Sequence, residues 1–347
     1  MKKRLIVVIA AVLLLSATVL GACSPASDSG GSDAASSAAG SSAAASSAEG
    51  SAAGGDTAGK EIVFVPPSMQ SPFYAGIISG AQPYAEELGY KFTVMSPSKQ
   101  EDPAEQVKIV EDLVQRGVAG IALCALDDTA IVAAVRKAND AGIPVVEFNT
   151  LTKLQDCEVY GYSGYDQWDG GKRLAQWVNE ISGGKAKVGL ILGLPGFHSN
   201  EREGGFREQC EEYPGIEIIA TGSGEFAREP SLNAATTMLS SYPEIEIFVG
   251  LNDEIALGAA QACRNAGRDD IKTIGLDGNP NVLEAIKGGE VTASLHVDPM
   301  KQGYNAVVML DEALNGVPIE EGGKMMILEP FIVDKSNVDE WLAKVSE

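Results

Sequence analysis

Glu61-Ile-Val-Phe-Val65 is an apolar run behind a single acid. Ile77, Ala81, Tyr84, Ala85 and Leu88 follow at the spacing of one helix face, and Gly89 closes the stretch. A run apolar at consecutive positions has no solvent-facing side, so it suits a parallel strand covered by helices on both faces. Glycine just past a helical period is the common C-terminal stop. The rhythm then repeats. A strand is predicted over 92–95, and Asp102-Pro103-Ala104-Glu105 opens a helix with an acid N-cap, proline first and glutamate third. Its buried face is predicted as Val107, Val110, Leu113 and Val114, ending at Gly117. Strands at 120–123 and 144–148 flank a helix carrying Ile131, Val132 and Val135, and a weaker strand follows at 159–162.

The same alternation restarts with strands at 188–192, 216–220, 245–249, 273–276 and 291–295, a helix filling each gap. Two successive five-strand units predict an α/β fold of two doubly wound, Rossmann-like parallel-sheet lobes, each in the order 2-1-3-4-5. From residue 325 onward the tail predicts one more strand and a short helix at 337–344. Ligands of such sheets meet the loops at the carboxyl ends of the strands. Two such edges facing one another make a two-lobed binder.

Composition removes other classes. The 347 residues carry 48 acids against 26 Lys and Arg, a formal charge of −22. A protein that tracks phosphates needs a basic face, so nucleic acid is excluded as a partner. Only His198 and His296 are available for imidazole chemistry, and no metal site or cofactor is expected. Gly170-Gly171-Lys172 runs into Arg173, with Asp166 where a phosphate loop needs glycine. Asp127-Asp128 and Asp253-Glu254 are neighbours in sequence, and neighbours do not face each other on a helix. They read as caps rather than as an acid/base pair, and the chain reads as a non-enzyme.

Lys2, Lys3 and Arg4 precede an apolar stretch at 5–20, the pattern of a secretion signal, with an uncleaved anchor as the bland alternative. Leu20-Gly21-Ala22-Cys23 resembles the lipobox of bacterial lipoproteins. That resemblance implies a signal over 1–22, diacylglyceryl transfer to the Cys23 thiol, and a mature charge of −22 − 3 = −25. In residues 26–55, 27 of 30 positions are Ser, Ala or Gly, too little apolar surface to offset ordering, so 23–59 reads as a flexible tether. Its root-mean-square reach is on the order of 30–35 Å.

Four stretches in order resemble the ribose- and galactose-type members of the type I periplasmic binding proteins. They are Ser71-Pro72-Phe73-Tyr74, Arg202-Glu-Gly-Gly205-Phe206, Asn252-Asp253-Glu254 leading into Ala256-Leu257-Gly258-Ala259, and Gly275-Leu276-Asp277-Gly278. The resemblance covers residues 60–328. It implies a lobe of 60–164 with 298–328 and a lobe of 165–297 with 329–347, joined by a three-segment hinge near Tyr165, Val297 and Leu328. Phe73, Tyr74 and Phe226 fall where the family sandwiches a sugar ring, and Arg202, Asn252 and Asp277 where it hydrogen-bonds hydroxyls. Ser71, Asn149 and Thr150 also fall in the ligand set. There the chain departs from the ribose pattern: Asn149-Thr150 replaces Asp-Arg, Ser71 replaces Asn, Pro67 replaces Ser, and Val297 replaces Gln.

The family further implies a monomeric, extracellular solute-binding protein, lipid-anchored here at the membrane, for a sugar, polyol or other small polar ligand. It would deliver its ligand to an ABC permease and ATPase on separate chains. A sensing subunit for a receptor kinase or chemoreceptor is the nearest alternative, and an extracellular hydrolase a more distant one. His198 reads equally as a cleft residue or a helix start, His296 as a hinge residue, and Trp168 as packing. The strand and helix positions of Cys124, Cys157, Cys210 and Cys263 oppose pairing, so four free, mostly buried thiols are expected.

Overall fold

The computed structural model describes residues 59–99 and 102–345. The signal segment, Cys23 and the tether up to residue 58 lie outside them.

The first sheet holds β1 (Glu61–Val65), β2 (Lys91–Val94), β3 (Gly120–Leu123), β4 (Val145–Phe148) and β5 (Gly161–Gly164). Three helices connect them: α1 (Pro72–Glu87), α2 (Pro103–Arg116) and α3 (Val132–Asp140). After α4 (Gln167–Ser182) the second sheet is built from β6 (Ala186–Leu192), β7 (Ile216–Ser223), β8 (Ile247–Gly250), β9 (Lys272–Asp277) and β10 (Ala293–His296). Its helices are α5 (Phe197–Glu211), α6 (Arg228–Ser241), α7 (Asp253–Asn265) and α8 (Pro280–Gly288). The chain closes with α9 (Pro299–Leu314), β11 (Lys324–Ile327), β12 (Phe331–Asp334) and α10 (Val338–Val345).

Both sheets have the order expected from the sequence, extended by one strand. The first runs β11-β5-β4-β3-β1-β2 and the second β12-β10-β9-β8-β6-β7. The tail therefore gives two strands, one to each sheet, where one was expected. β11 joins β5 in parallel and β12 joins β10 antiparallel. The chain changes sheets three times: between β5 and α4, between β10 and α9, and between β11 and β12.

Strand pleating explains the layers. Ile62 and Phe64 belong to one buried cluster with α1 and α9, while Val63 and Val65 belong to another with α2 and α3. Apolar residues at consecutive strand positions are what two covered faces require. The predicted helix over 103–116 forms as capped: Asp102 accepts the Glu105 N–H at 2.9 Å, and Gly117 ends it in the left-handed region. Its buried face is rotated from the expectation, to Gln106, Ile109, Val110 and Leu113, with Val107 and Val114 only half-buried. The reason is Gln106, whose amide bonds both the Cys124 carbonyl and the Leu126 N–H and so turns a polar residue inward.

Each lobe also contains a reciprocal pair of glycines where two helices touch. A Cβ on Gly80 would meet the Met300 carbonyl and one on Gly303 the Ile77 carbonyl, joining α1 to α9. In the second lobe Gly171 faces the Arg202 carbonyl and Gly205 the Trp168 carbonyl, joining α4 to α5. Only residues without a side chain permit such backbone contact. Trp168 is packing, as expected: its ring covers Gly204 and its Nε1 donates to Glu208. All four cysteines among the described residues are free, Cys157 half-buried and the others buried.

Candidate ligand-binding cleft

The carboxyl ends of the two sheets meet around a narrow cavity of about 40 Å³. Its walls are Pro67, Ser68, Ser71, Phe73, Tyr74 and Asn149 from the first lobe and His198, Arg202, Phe226, Asn252 and Asp277 from the second. Eight of the nine residues expected from the sequence therefore converge. Thr150 does not. Its side chain is buried away from the wall, and its Oγ1 accepts the Thr152 N–H at 3.0 Å. Ser68 was not foreseen, since it follows the apolar run of β1 with no periodic signal of its own.

Local structure explains each placement. Pro72 starts α1, so Phe73 and Tyr74 occupy its first turn at the mouth of β1, their rings edge-to-face at 5.2 Å. Phe226 sits in a left-handed backbone conformation after β7, its ring against Gly193, where a Cβ would collide with it. Asn252 caps α7 through Oδ1, which accepts the Ile255 N–H, and its Nδ2 lies 3.4 Å from the Phe226 carbonyl. Capping and facing the cleft are thus both true of Asn252. His198 likewise does both: it is the second residue of α5 and lies on the wall. His296 does not reach this cavity and instead packs beside Phe331 and Trp341 near the second crossing.

The charges are one-sided. Arg202 is 4 % exposed; its Nε donates to Gln167 Oε1 and its Nη1 to the Leu251 carbonyl, both at 2.7 Å. Both acceptors are neutral, and a guanidinium has further N–H donors to offer. The Phe226 ring lies 5.9 Å from its central carbon. Asp277, 2 % exposed, ends β9 at a φ of 143° and accepts from Asn279 Nδ2 at 3.1 Å. Burial holds its carboxyl well above the usual range, reinforced by Asp253 and opposed by Arg202. The first lobe contributes no charged group to the wall.

Asp253 is not the cap of its own helix. It accepts the N–H groups of Gly278 and Asn279, both at 2.8 Å, and the Ser294 hydroxyl at 2.6 Å, and so ties down the loop that follows Asp277. Burial pushes its carboxyl up to about 7 despite those bonds. Beneath the first lobe's wall, Cys124 has the Tyr74 hydroxyl and Asn149 Nδ2 each 3.9 Å from its sulfur. Burial raises this thiol to about 12, far from a nucleophilic thiolate.

Residues 62–318 match the periplasmic binding protein domain, about three quarters of the chain. The chain belongs to the periplasmic binding protein family. This binding protein is 31% identical over 260 residues to the ribose import binding protein of Salmonella typhimurium, covering 75% of this chain and 86% of that one. A solute-binding protein of Actinobacillus succinogenes solved with D-allose superposes with a TM-score of 0.76 at 27% identity, covering 81% and 99% of the two chains. A solute-binding protein of Bacillus halodurans with bound myo-inositol gives 0.74 at 28% identity, covering 84% and 99%. The two-lobed α/β architecture of the binding protein is that of the type I group.

Proposed function

We propose that the protein is an extracytoplasmic solute receptor of an ABC importer, closing its two lobes over one neutral sugar or polyol. The observation that carries this reading is the cavity itself. Three aromatic side chains offer flat apolar faces for C–H groups, beside Arg202, Asp277, Asn149 and Asn252 as hydrogen-bonding partners for hydroxyls. A buried Arg and Asp discriminate sharply, because an analogue lacking a hydroxyl leaves a charged group unpaired. The relatives named above, which bind ribose, D-allose and myo-inositol, support a polyhydroxylated ligand. Asn149 and Val297 supply no charge where the ribose pattern has polar or charged partners, which favours a ligand other than ribose. Cys23 would hold the receptor at the membrane through a lipid, with permease and ATPase on other chains.

The reading is tested by a thermal-shift panel of pentoses, hexoses, cyclitols, nucleosides and amino acids. A ligand at ~100 times its Kd adds about 2.7 kcal/mol, a shift of a few degrees for lobes of this size. Shifts confined to sugars or cyclitols support the reading, and a shift from amino acids alone contradicts it. Anchoring is tested separately: Cys23→Ser should move the protein from the membrane fraction to the medium.

A further inference from the structure

We infer that Gln167 is a positioning residue that makes the aim of Arg202 depend on lobe closure. Gln167 opens α4 directly after the first crossing between sheets and is buried. Its amide is bonded to both lobes at once. Oε1 accepts from Arg202 Nε at 2.7 Å and from the Tyr165 hydroxyl at 2.9 Å, while Nε2 donates to the Asn149 carbonyl at 2.5 Å. Arg202 belongs to the second lobe's wall and Asn149 to the first.

The amide has one workable orientation. Turned over, it would set its NH₂ against the Arg202 N–H and its oxygen against the Asn149 carbonyl, two repulsive contacts. Asn149 stands in the left-handed region, which asparagine tolerates, and its carbonyl is the one Gln167 reaches. Rotation of the lobes changes the distance between Asn149 and Arg202, and a single short amide cannot keep both bonds through it. Closure therefore completes the bridge and fixes the guanidinium, and opening releases it. This extends the solute-receptor reading, on which only the ligand arm of the test rests.

Cys124 supplies a native reporter. Its sulfur lies 3.6 Å from His198 Nε2 of the opposite wall, a cover that opening removes. Cys210 and Cys263, buried on α5 and α7, serve as internal controls for unfolding. The full chain without ligand is treated with iodoacetamide, and labelling of each cysteine is followed by mass spectrometry for wild type, Gln167→Ala and Gln167→Glu. Both variants lose the bond to Asn149, so Cys124 should label about tenfold faster in each, with Cys210 and Cys263 unchanged. Unchanged Cys124 labelling, or equal acceleration at all three cysteines, overturns the inference.

With a sugar or cyclitol from the panel, Gln167→Glu still accepts from Arg202 and should keep its association rate while dissociating about tenfold faster. Gln167→Ala should be impaired in both rates. Equal dissociation from wild type and Gln167→Glu would also overturn the inference. Failure of every sugar and cyclitol to bind wild type sinks the receptor reading instead, and the labelling arm still decides the role of Gln167.

Discussion

Cys124 Sγ at the end of the first lobe's third strand lies 3.6 Å from His198 Nε2 at the start of α5 in the second lobe. The contact spans the cleft, and burial with the nearby Arg202 charge pushes the His198 imidazole down to about 3. An imidazole freed by opening returns toward its ordinary value of about 6.5. Closure then releases a proton whenever the open form holds one. Ligand affinity from this group is fully present above about pH 6.5 and falls as pH drops through it, by about tenfold at pH 5.5. Titration calorimetry at pH 7.5 and 5.5 checks this. The wild-type Kd should weaken about tenfold more than that of His198→Gln, and equal ratios would contradict it.

Glu147 carries the opposite pH signature, and on stability rather than binding. It is buried on the fourth strand, one oxygen accepting the Ala125 N–H and the other without a partner, and burial raises it to about 8. A carboxyl raised in the folded state contributes stability below its unfolded value near 4.5, and that contribution is lost as pH climbs through about 8. Within that window the loss approaches 1.4 kcal/mol per pH unit. Urea unfolding at pH 6 and pH 8 should show a steeper loss for wild type than for Glu147→Gln. Asp253 titrates in both proteins, so the difference isolates Glu147.

The reciprocal glycines make a prediction about helices rather than charges. Gly171 and Gly205 let α4 and α5 touch beside the Arg202 carbonyl, so alanine at either position must push α5 outward and move the Arg202 side chain. Gly171→Ala should weaken ligand binding at least tenfold and cost about 1–3 kcal/mol of stability. Gly80→Ala puts the same strain into the first lobe, against Met300, and should cost similar stability with a smaller effect on affinity. Urea unfolding and calorimetry on the pair separate the two. A Gly80→Ala affinity loss as large as that of Gly171→Ala would contradict the one-sided charge arrangement.

Much of this architecture was legible because it rests on periodicity. The consecutive apolar positions of Glu61–Val65 forecast a doubly covered strand, and Asp102, Pro103 and Gly117 marked both ends of their helix. Boundaries drifted where the pattern was weak: the strand read at 159–162 forms at Gly161–Gly164, because Gly161 and Gly164 carry no side chain to mark it. The two tail strands were merged into one, since Leu328 continues the apolar pattern through the third crossing. Residues that act by bridging left no periodic trace at all. Gln106 and Gln167 carry no signal of their own in the sequence, and their partners come beside them only in the fold. Thr150 stands off the wall for the reverse reason: it borders Asn149 in sequence but its hydroxyl accepts a local hydrogen bond from the Thr152 N–H.

Thr150 thus gives a negative prediction. Thr150→Ala should leave ligand affinity within about twofold of wild type, whereas Asn149→Ala should lower it by about tenfold. Calorimetric titration of the two variants in parallel checks this, and equal losses would place Thr150 back on the wall.

The most direct test of the account is calorimetric titration of the tightest sugar or cyclitol into wild type and Arg202→Ala, with unfolding midpoints measured on both. Arg202 is the one buried cation on the wall, and in the proposed reading its N–H groups make charge-assisted hydrogen bonds to ligand hydroxyls. The account predicts a one-to-one complex whose Kd weakens at least a hundredfold in a variant that remains folded. Equal affinity in the two proteins would contradict it and place the ligand outside the cleft between the lobes.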